Sequence, residues 1–254
     1  MMEAAFDFAG KVAVVTGGSR GLGESIAVAL AQRGAQVAVC GRKQESLDRA
    51  AERFKQKELG IVGKVANVGN QDQVEALINM VEESFGRLDI LINNVGMNIL
   101  TPSVVDAEEG LWNKIVQTNL TGTFLVTRSA VGLMKKSGGG KIINISSIAA
   151  RKTAPGMGIY CVAKAGVDMF TRVLAVELAR DNIQVNGVAP CMVKTPFSKP
   201  FWSNEGLLKQ ITQTIPMGRI AETEDVVGAV LFLASGLSNF ITGEILTVDG
   251  GSTA

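Results

Sequence analysis

Short runs of apolar, β-branched residues alternate along the chain with longer stretches in which apolar positions recur every third or fourth residue. The short runs predict strands at residues 11–16, 36–40, 61–67, 88–93, 141–146, 183–188 and 244–248. The longer stretches predict helices at 21–33, 43–57, 71–85, 108–136, 160–180 and 222–234. Val12-Ala13-Val14-Val15 and Ile142-Ile143-Asn144-Ile145 are apolar on both faces, as strands covered by helices on two sides must be. Alternation of this kind is the order of βαβ units, so the chain reads as α/β with a doubly wound, parallel, seven-stranded sheet. No repeat, linker or low-complexity segment interrupts it, and residues 1–254 are assigned to one domain. The exception is the stretch 189–214, which carries no regular pattern. Long irregular connections in compact domains serve as lids or binding loops, and a substrate lid is expected at about 190–215.

Composition narrows the possible functions. Twenty-five Lys and Arg against 24 Asp and Glu leave a net charge of +1, which gives no electrostatic case for nucleic acid or an anionic membrane. The chain has no histidine, which removes a Ser-His-Asp hydrolase, a His-ligated metal site and a His general base. Cys40, Cys161 and Cys191 lie far apart without C-x-x-C spacing, so no metal site or disulfide framework is indicated. The start, Met1 to Asp7, carries acid where a signal peptide needs base, and Ser235, Gly236, Ser238 and Asn239 break the longest uncharged run. The expectation is a soluble cytoplasmic protein. Glycine, at 29 residues, is in excess and asks for tight turns or close backbone approaches.

Several of those glycines stand where they carry chemistry. The first strand runs into Thr16-Gly17-Gly18-Ser19-Arg20-Gly21-Leu22-Gly23 and then a helix. Such a turn brings backbone N–H groups and the positive end of the helix dipole against a pyrophosphate. Taken alone, it is also compatible with a strand-to-helix turn that binds nothing; its position after the first strand favours a dinucleotide. The acid that would accept a ribose 2′-hydroxyl belongs at the end of the second strand, but that place reads Cys40-Gly41-Arg42-Lys43. Arg42 and Arg20 would instead converge on a 2′-phosphate, which predicts NADP(H). The competing reading makes Arg42 and Lys43 the solvated first turn of a helix. Asn67-Val68, closing the third strand, and Asn94 with Gly96, closing the fourth, are expected walls of the nucleotide site.

The single tyrosine opens Tyr160-Cys161-Val162-Ala163-Lys164. On a helix the i, i+4 spacing places Tyr160 and Lys164 on one face, where the ammonium would favour phenolate and lower the tyrosine pKa. Such a pair often arises by chance, but Ser147 ends the fifth predicted strand, where a hydroxyl would hold a carbonyl oxygen beside the phenol. In an open α/β sheet the carboxyl ends of the strands form the ligand crevice, and the glycine turn, Asn94 and Ser147 all fall there.

These motifs, with Asn93-Asn94-Val95-Gly96, Asn119 in Asn119-Leu120-Thr121-Gly122 and the terminal Val248-Asp249-Gly250-Gly251, make the chain resemble the short-chain dehydrogenase/reductase family from Lys11 to Gly251. The resemblance implies a Rossmann-type sheet of order 3-2-1-4-5-6-7. It implies that Tyr160 is the general acid for reduction, that Lys164 binds the nicotinamide ribose and depresses the Tyr160 pKa, that Ser147 orients the carbonyl, and that Asn119 holds a water relaying protons to Lys164. It also implies that Pro190, Val193 and Thr195 reach the nicotinamide. Two positions depart from the family pattern: Val95 replaces the usual alanine, and Cys191 stands where glycine usually follows Pro190.

Phe197, Phe201 and Trp202 predict either a lid over an apolar or ring-bearing carbonyl compound or packing into the domain or an interface. The leading expectation is NADP(H)-dependent hydride transfer between a ketone and a secondary alcohol on a small to medium apolar or cyclic substrate. The alternatives are reduction of a 3-oxoacyl thioester, for which Gly132 stands where an arginine is expected while Lys135 and Lys136 remain, and a non-catalytic NADP(H)-binding regulator. Helices 108–136 and 160–180 carry more apolar residues than one sheet face needs, and the resemblance implies a homotetramer or homodimer built on them.

Overall fold

The computed structural model describes residues 6–153 and 155–254; Met1–Ala5, on which part of the reading of the amino terminus rests, lie outside them. Seven strands, β1 (Val12–Thr16), β2 (Gln36–Gly41), β3 (Val62–Val65), β4 (Ile90–Asn93), β5 (Gly140–Ile145), β6 (Ile183–Pro190) and β7 (Ile245–Val248), form one sheet in the order β3-β2-β1-β4-β5-β6-β7. Every pairing is parallel. The carboxyl ends of all the strands therefore open on one edge, and the order reverses between β1 and β4, where a crevice must form.

Side chains alternate across the sheet. Ala13 and Val15 of β1 join Ile92 and Ile143 in a core against α1 (Gly21–Ala31), α2 (Gln44–Gln56) and α9 (Thr223–Ala234). Val12 and Val14 face the other way, with Leu91 and Ile142, against α3 (Gln71–Phe85), α5 (Gly122–Lys136) and α6 (Gly158–Glu177). Both cores are predominantly aliphatic, and burial on two faces is what made these strands continuous apolar runs. Local signals set the helix ends: Asn70 accepts a hydrogen bond from the Gln73 N–H at the start of α3, and Gly86 closes it with φ 72°. Between the layers, Asn93 Nδ2 donates to Thr127 Oγ1 and Asn144 Oδ1, both at 2.9 Å, and Asn144 Nδ2 donates to Thr171 Oγ1 at 2.8 Å. This buried polar chain ties β4 and β5 to α5 and α6 immediately below the crevice.

Three expected elements differ. The third strand, expected at 61–67, is only Val62–Val65, so Asn67 and Val68 follow it rather than end it. The expected helix 108–136 is α4 (Glu109–Val116), a π-helical turn (Gln117–Thr121) and α5, because the Asn119 side chain bonds back to the Ile115 carbonyl and across to the 97 backbone. The stretch 189–214 is not irregular: β6 runs on to Pro190, and α7 (Lys199–Trp202) and α8 (Glu205–Gln213) follow. Asn204 caps α8 by accepting from the Leu207 N–H, a signal legible in the sequence but masked by the neighbouring Pro, Ser and aromatic residues.

Candidate active site

The carboxyl edge of the sheet holds a cleft of about 720 Å³. Every residue expected at the nucleotide, from Gly17 to Thr195, lines it, as do Ser147, Tyr160 and Lys164. Its first wall is the glycine turn. Gly17 and Gly21 take φ +67° and +58°, where a side chain is strained, and a Cβ on Gly23 would overlap the Asn94 amide and the Gly17 carbonyl. The turn is fixed from β4: Asn94 Nδ2 donates to the Thr16 carbonyl at 2.9 Å, while Thr16 Oγ1 accepts from the Asn94 and Val95 N–H groups at 2.9 and 3.2 Å. Val95, the first departure from the family pattern, packs its side chain onto the buried core beneath the cleft.

Arg20, Arg42 and Lys43 stand exposed on the wall at the far end of β2. None of the three makes an ion pair among the described residues, whereas nearby Arg49 pairs with Glu45 at 2.6 Å and Arg53 with Glu24 at 2.6 Å. Backbone N–H groups at a glycine turn with uncommitted cations beyond suit a phosphorylated dinucleotide. Ser46 and Arg49 of α2 also line this end and were not singled out from sequence.

At the other end, consecutive residues leaving β5 grip α6. The Ser147 hydroxyl accepts from the Ala149 N–H at 3.1 Å and lies beside the Tyr160 phenol, whose rise in pKa it opposes, and the Ile145 carbonyl accepts from Lys164 Nζ at 2.7 Å. The ammonium lies 5.7 Å from the Tyr160 ring centre. Both side chains are buried. Burial pushes the Tyr160 pKa up to about 12 against the opposing effect of Ser147, and pulls Lys164 down to about 8, with Asp168 opposing. The expectation that Lys164 depresses the tyrosine is thus corrected: desolvation of the phenolate dominates, and the phenol stays protonated at neutral pH. Asn119 is fully buried behind Gly96 rather than on the wall, since a Cβ on Gly96 would lie 3.4 Å from Asn119 Oδ1 and 3.7 Å from Lys164 Nζ.

The roof comes from the segment after β6. Cys191 adopts no left-handed φ, so the missing glycine costs no backbone strain, and its N–H donates to the Val248 carbonyl at 3.1 Å. Burial raises its thiol pKa. Val193 bridges Ala221, and Ser198 ties the Thr195 N–H to the Val193 carbonyl, which holds both expected nicotinamide contacts on the cleft. Phe197 and Phe201 face the cleft; Trp202 does not, its Nε1 donating instead to the Thr195 carbonyl at 3.0 Å. Met157, Met192, Ile211 and Ile215 complete an apolar wall. Of these, Ile211 and Ile215 escaped the sequence reading because α8 did.

A parallel sheet with a glycine turn at its switch point and a buried Tyr–Lys pair on the same cleft is the arrangement of a dinucleotide-dependent oxidoreductase. A family model described as "Enoyl-(Acyl carrier protein) reductase" matches residues 17–253. "Dehydrogenase/reductase SDR family member 4" of Sus scrofa is 38% identical over 244 residues, covering 96% of this chain and 88% of the relative. "3alpha-hydroxysteroid dehydrogenase" of Mediterraneibacter gnavus is 40% identical over 244 residues, 95% of this chain and 96% of the relative. The crystal structure of a gluconate 5-dehydrogenase from Burkholderia cenocepacia in complex with NADP and tartrate superposes with a TM-score of 0.94 at 32% identity, covering 100% of this chain and 99% of that one. The chain belongs to the short-chain dehydrogenase/reductase family, whose members are nicotinamide-dependent oxidoreductases. No helix among the described residues is long and apolar enough to cross a membrane.

Proposed function

We propose that the protein is an NADP(H)-dependent reductase of ketones, or dehydrogenase of the corresponding secondary alcohols, acting on a small to medium apolar or cyclic substrate. The observation that carries this reading is the buried pair Tyr160 and Lys164, with the half-buried Ser147 beside them, facing an apolar pocket at one end of a cleft whose other end bears uncommitted arginines. The nicotinamide, when bound, supplies or accepts the hydride. Ser147 holds the carbonyl oxygen by donating its hydroxyl hydrogen, and the Tyr160 phenol delivers the proton as the oxygen gains charge. Lys164 stands beside the phenol as an ammonium and also holds the nicotinamide ribose. Asn119 braces the turn beneath Gly96 on which Lys164 rests, with the proton-relay water as its further role. Arg20 and Arg42 take the 2′-phosphate; Asn67 and Val68 border the adenine. An apolar wall of Phe197, Phe201, Met157, Met192 and Ile215 excludes water from the reacting carbonyl.

Thioester reduction is less well supported. The two lysines that kept it open are committed: Lys135 pairs with Asp181 at 2.7 Å and Lys136 with Glu82 at 2.9 Å. A homo-oligomer, tetramer or dimer, fits the exposed apolar side chains Phe124 on α5 and Val162, Met169, Val173 and Val176 on α6, the last 81% exposed. Light scattering tests this, and a monomer would overturn it. A cytoplasmic location is retained as part of the proposal.

The functional test is oxidation of NADPH and of NADH against a diketone, a quinone, a bulky cyclic ketone and an acetoacetyl thioester, with Tyr160→Phe in parallel. We expect NADPH-preferring turnover of a ketone that falls by about 10²–10⁴-fold in Tyr160→Phe with NADPH affinity retained. Equal turnover by the variant would refute the assignment of Tyr160, and NADPH binding without any turnover would favour a regulator.

A further inference from the structure

Three successive residues at the end of β5 each meet one of three residues spaced by a helical turn along α6. Ser147 stands beside Tyr160, the Ile145 carbonyl accepts from Lys164 Nζ, and between them the Ser146 hydroxyl donates to Asp168 Oδ1. Asp168 is 5% exposed, lies one turn beyond Lys164 on the same helix face, and is absent from the cleft wall. A carboxylate so placed costs several kcal/mol of desolvation unless it has partners. It has two in contact, the Ser146 hydroxyl just past β5 and Arg151 Nε at 3.7 Å from the turn that follows, while Lys164 and Arg172 on α6 itself add positive charge that opposes the effect of burial on the carboxyl. Arg151 is braced in its turn from β7, donating to Thr247 Oγ1 at 3.0 Å and to the Ile245 carbonyl at 3.1 Å. The carboxylate therefore has little freedom to turn away from the lysine.

The geometry points to Asp168 as a positioning residue of the reaction: the fixed, buried counter-charge that keeps Lys164 an ammonium beside Tyr160 and holds α6 in register with the end of β5. It does not touch substrate or nucleotide. The inference rests on the reading of Tyr160 and Lys164 as the proton-transfer pair. A structural brace alone would need only a polar group able to accept from Ser146. A counter-charge needs the negative charge itself, and that difference is measurable. Burial drives Lys164 toward the neutral amine, and among the described residues Asp168 is the carboxylate that opposes it.

The experiment follows Lys164 directly, by NMR titration of the full-length protein labelled with ¹³C-lysine, with the Lys164→Met spectrum identifying its resonance. Wild type is expected to titrate at about 8. Asp168→Asn keeps the volume and the bond from Ser146 but removes the charge, and should lower that midpoint by about one pH unit, a tenfold loss of proton affinity. Asp168→Glu should restore it. An unmoved midpoint in a folded Asp168→Asn protein overturns the inference, as does a fall in melting temperature with no change in titration. If Asp168→Asn does not fold, Asp168→Ser, which leaves room for water, carries the same expectation. The alkaline limb of kcat/KM for ketone reduction should move down with the lysine. Were the resonance to move while the limb stayed in place, the counter-charge would stand and the assignment of the pair to proton transfer would fall.

Discussion

Replacing Arg42 with alanine removes one of three cations, at the end of the cleft proposed for the adenosine, that no carboxylate among the described residues pairs with. Arg20, Arg42 and Lys43 are exposed and uncommitted, while Arg49 and Arg53 are each held at 2.6 Å by a glutamate. A 2′-phosphate contacted there by Arg42 gains charge-assisted hydrogen bonds worth about 1.5–3 kcal/mol in a buried setting. Solvent screening at this exposed edge reduces that to about 1–2 kcal/mol. The ratio of NADPH to NADH affinity should then fall about 5- to 30-fold in Arg42→Ala, with NADH binding nearly unchanged because its ribose carries no phosphate. The assay is equilibrium binding of each nucleotide at two ionic strengths. The NADPH advantage of the wild type, and with it the effect of the substitution, should shrink in high salt. Arg20→Ala should act in the same direction. A nucleotide preference that changes less than about twofold, about 0.4 kcal/mol, in the double variant would refute the 2′-phosphate assignment, since two arginines bonded to the phosphate are expected to contribute more than that.

Gly23→Ala places a Cβ onto the Asn94 amide and the Gly17 carbonyl, so it should cost about 1–3 kcal/mol of stability and most of the nucleotide affinity; thermal melting with and without NADPH reads both. Asp89 is buried at the base of β4, with Arg87 Nη2 at 2.6 Å, Lys11 Nζ at 3.3 Å and the Val12 N–H at 3.0 Å. Burial alone would raise its pKa, but these donors outweigh it and hold the carboxyl below its usual value of 3.8. Its contribution is therefore fully present above that value and lost as pH falls through the lower folded-state value. The urea midpoint of Asp89→Asn should lie below that of wild type by a constant margin near neutral pH, converging only in acid; a margin that grows on acidification would contradict the depressed pKa.

Much of this fold was legible in the chain because its determinants are local. Strands such as Val12–Thr16 are buried on both faces and so are apolar at every position, and α3 begins and ends on Asn70 and Gly86, whose side-chain bond and left-handed φ act within a few residues. The glycine turn and the Tyr160–Lys164 spacing were legible for the same reason: each is a short segment whose residue types are dictated by backbone geometry. The third strand, the break in helix 108–136 and the helices after β6 were misread. Asn119 pulls its helix into a π turn by bonding to residue 97, far away in sequence, and no periodicity records such a partner.

The sequence by itself determined the family, the α/β alternation and which residue types meet at the crevice, since these follow from spacing along single elements. Only the tertiary structure decided how those residues behave. Desolvation sets the tyrosine and lysine pKa values, and desolvation depends on what every neighbouring element packs over them. It likewise decided which of Phe197, Phe201 and Trp202 face the cleft, which lysines are committed to ion pairs, and that Asp168, an unremarked helical acid in the sequence, lies buried against Ser146 and Arg151 one turn from Lys164. Charge, burial and contact are sums over the whole fold, and the order of residues carries them only once the chain has closed on itself.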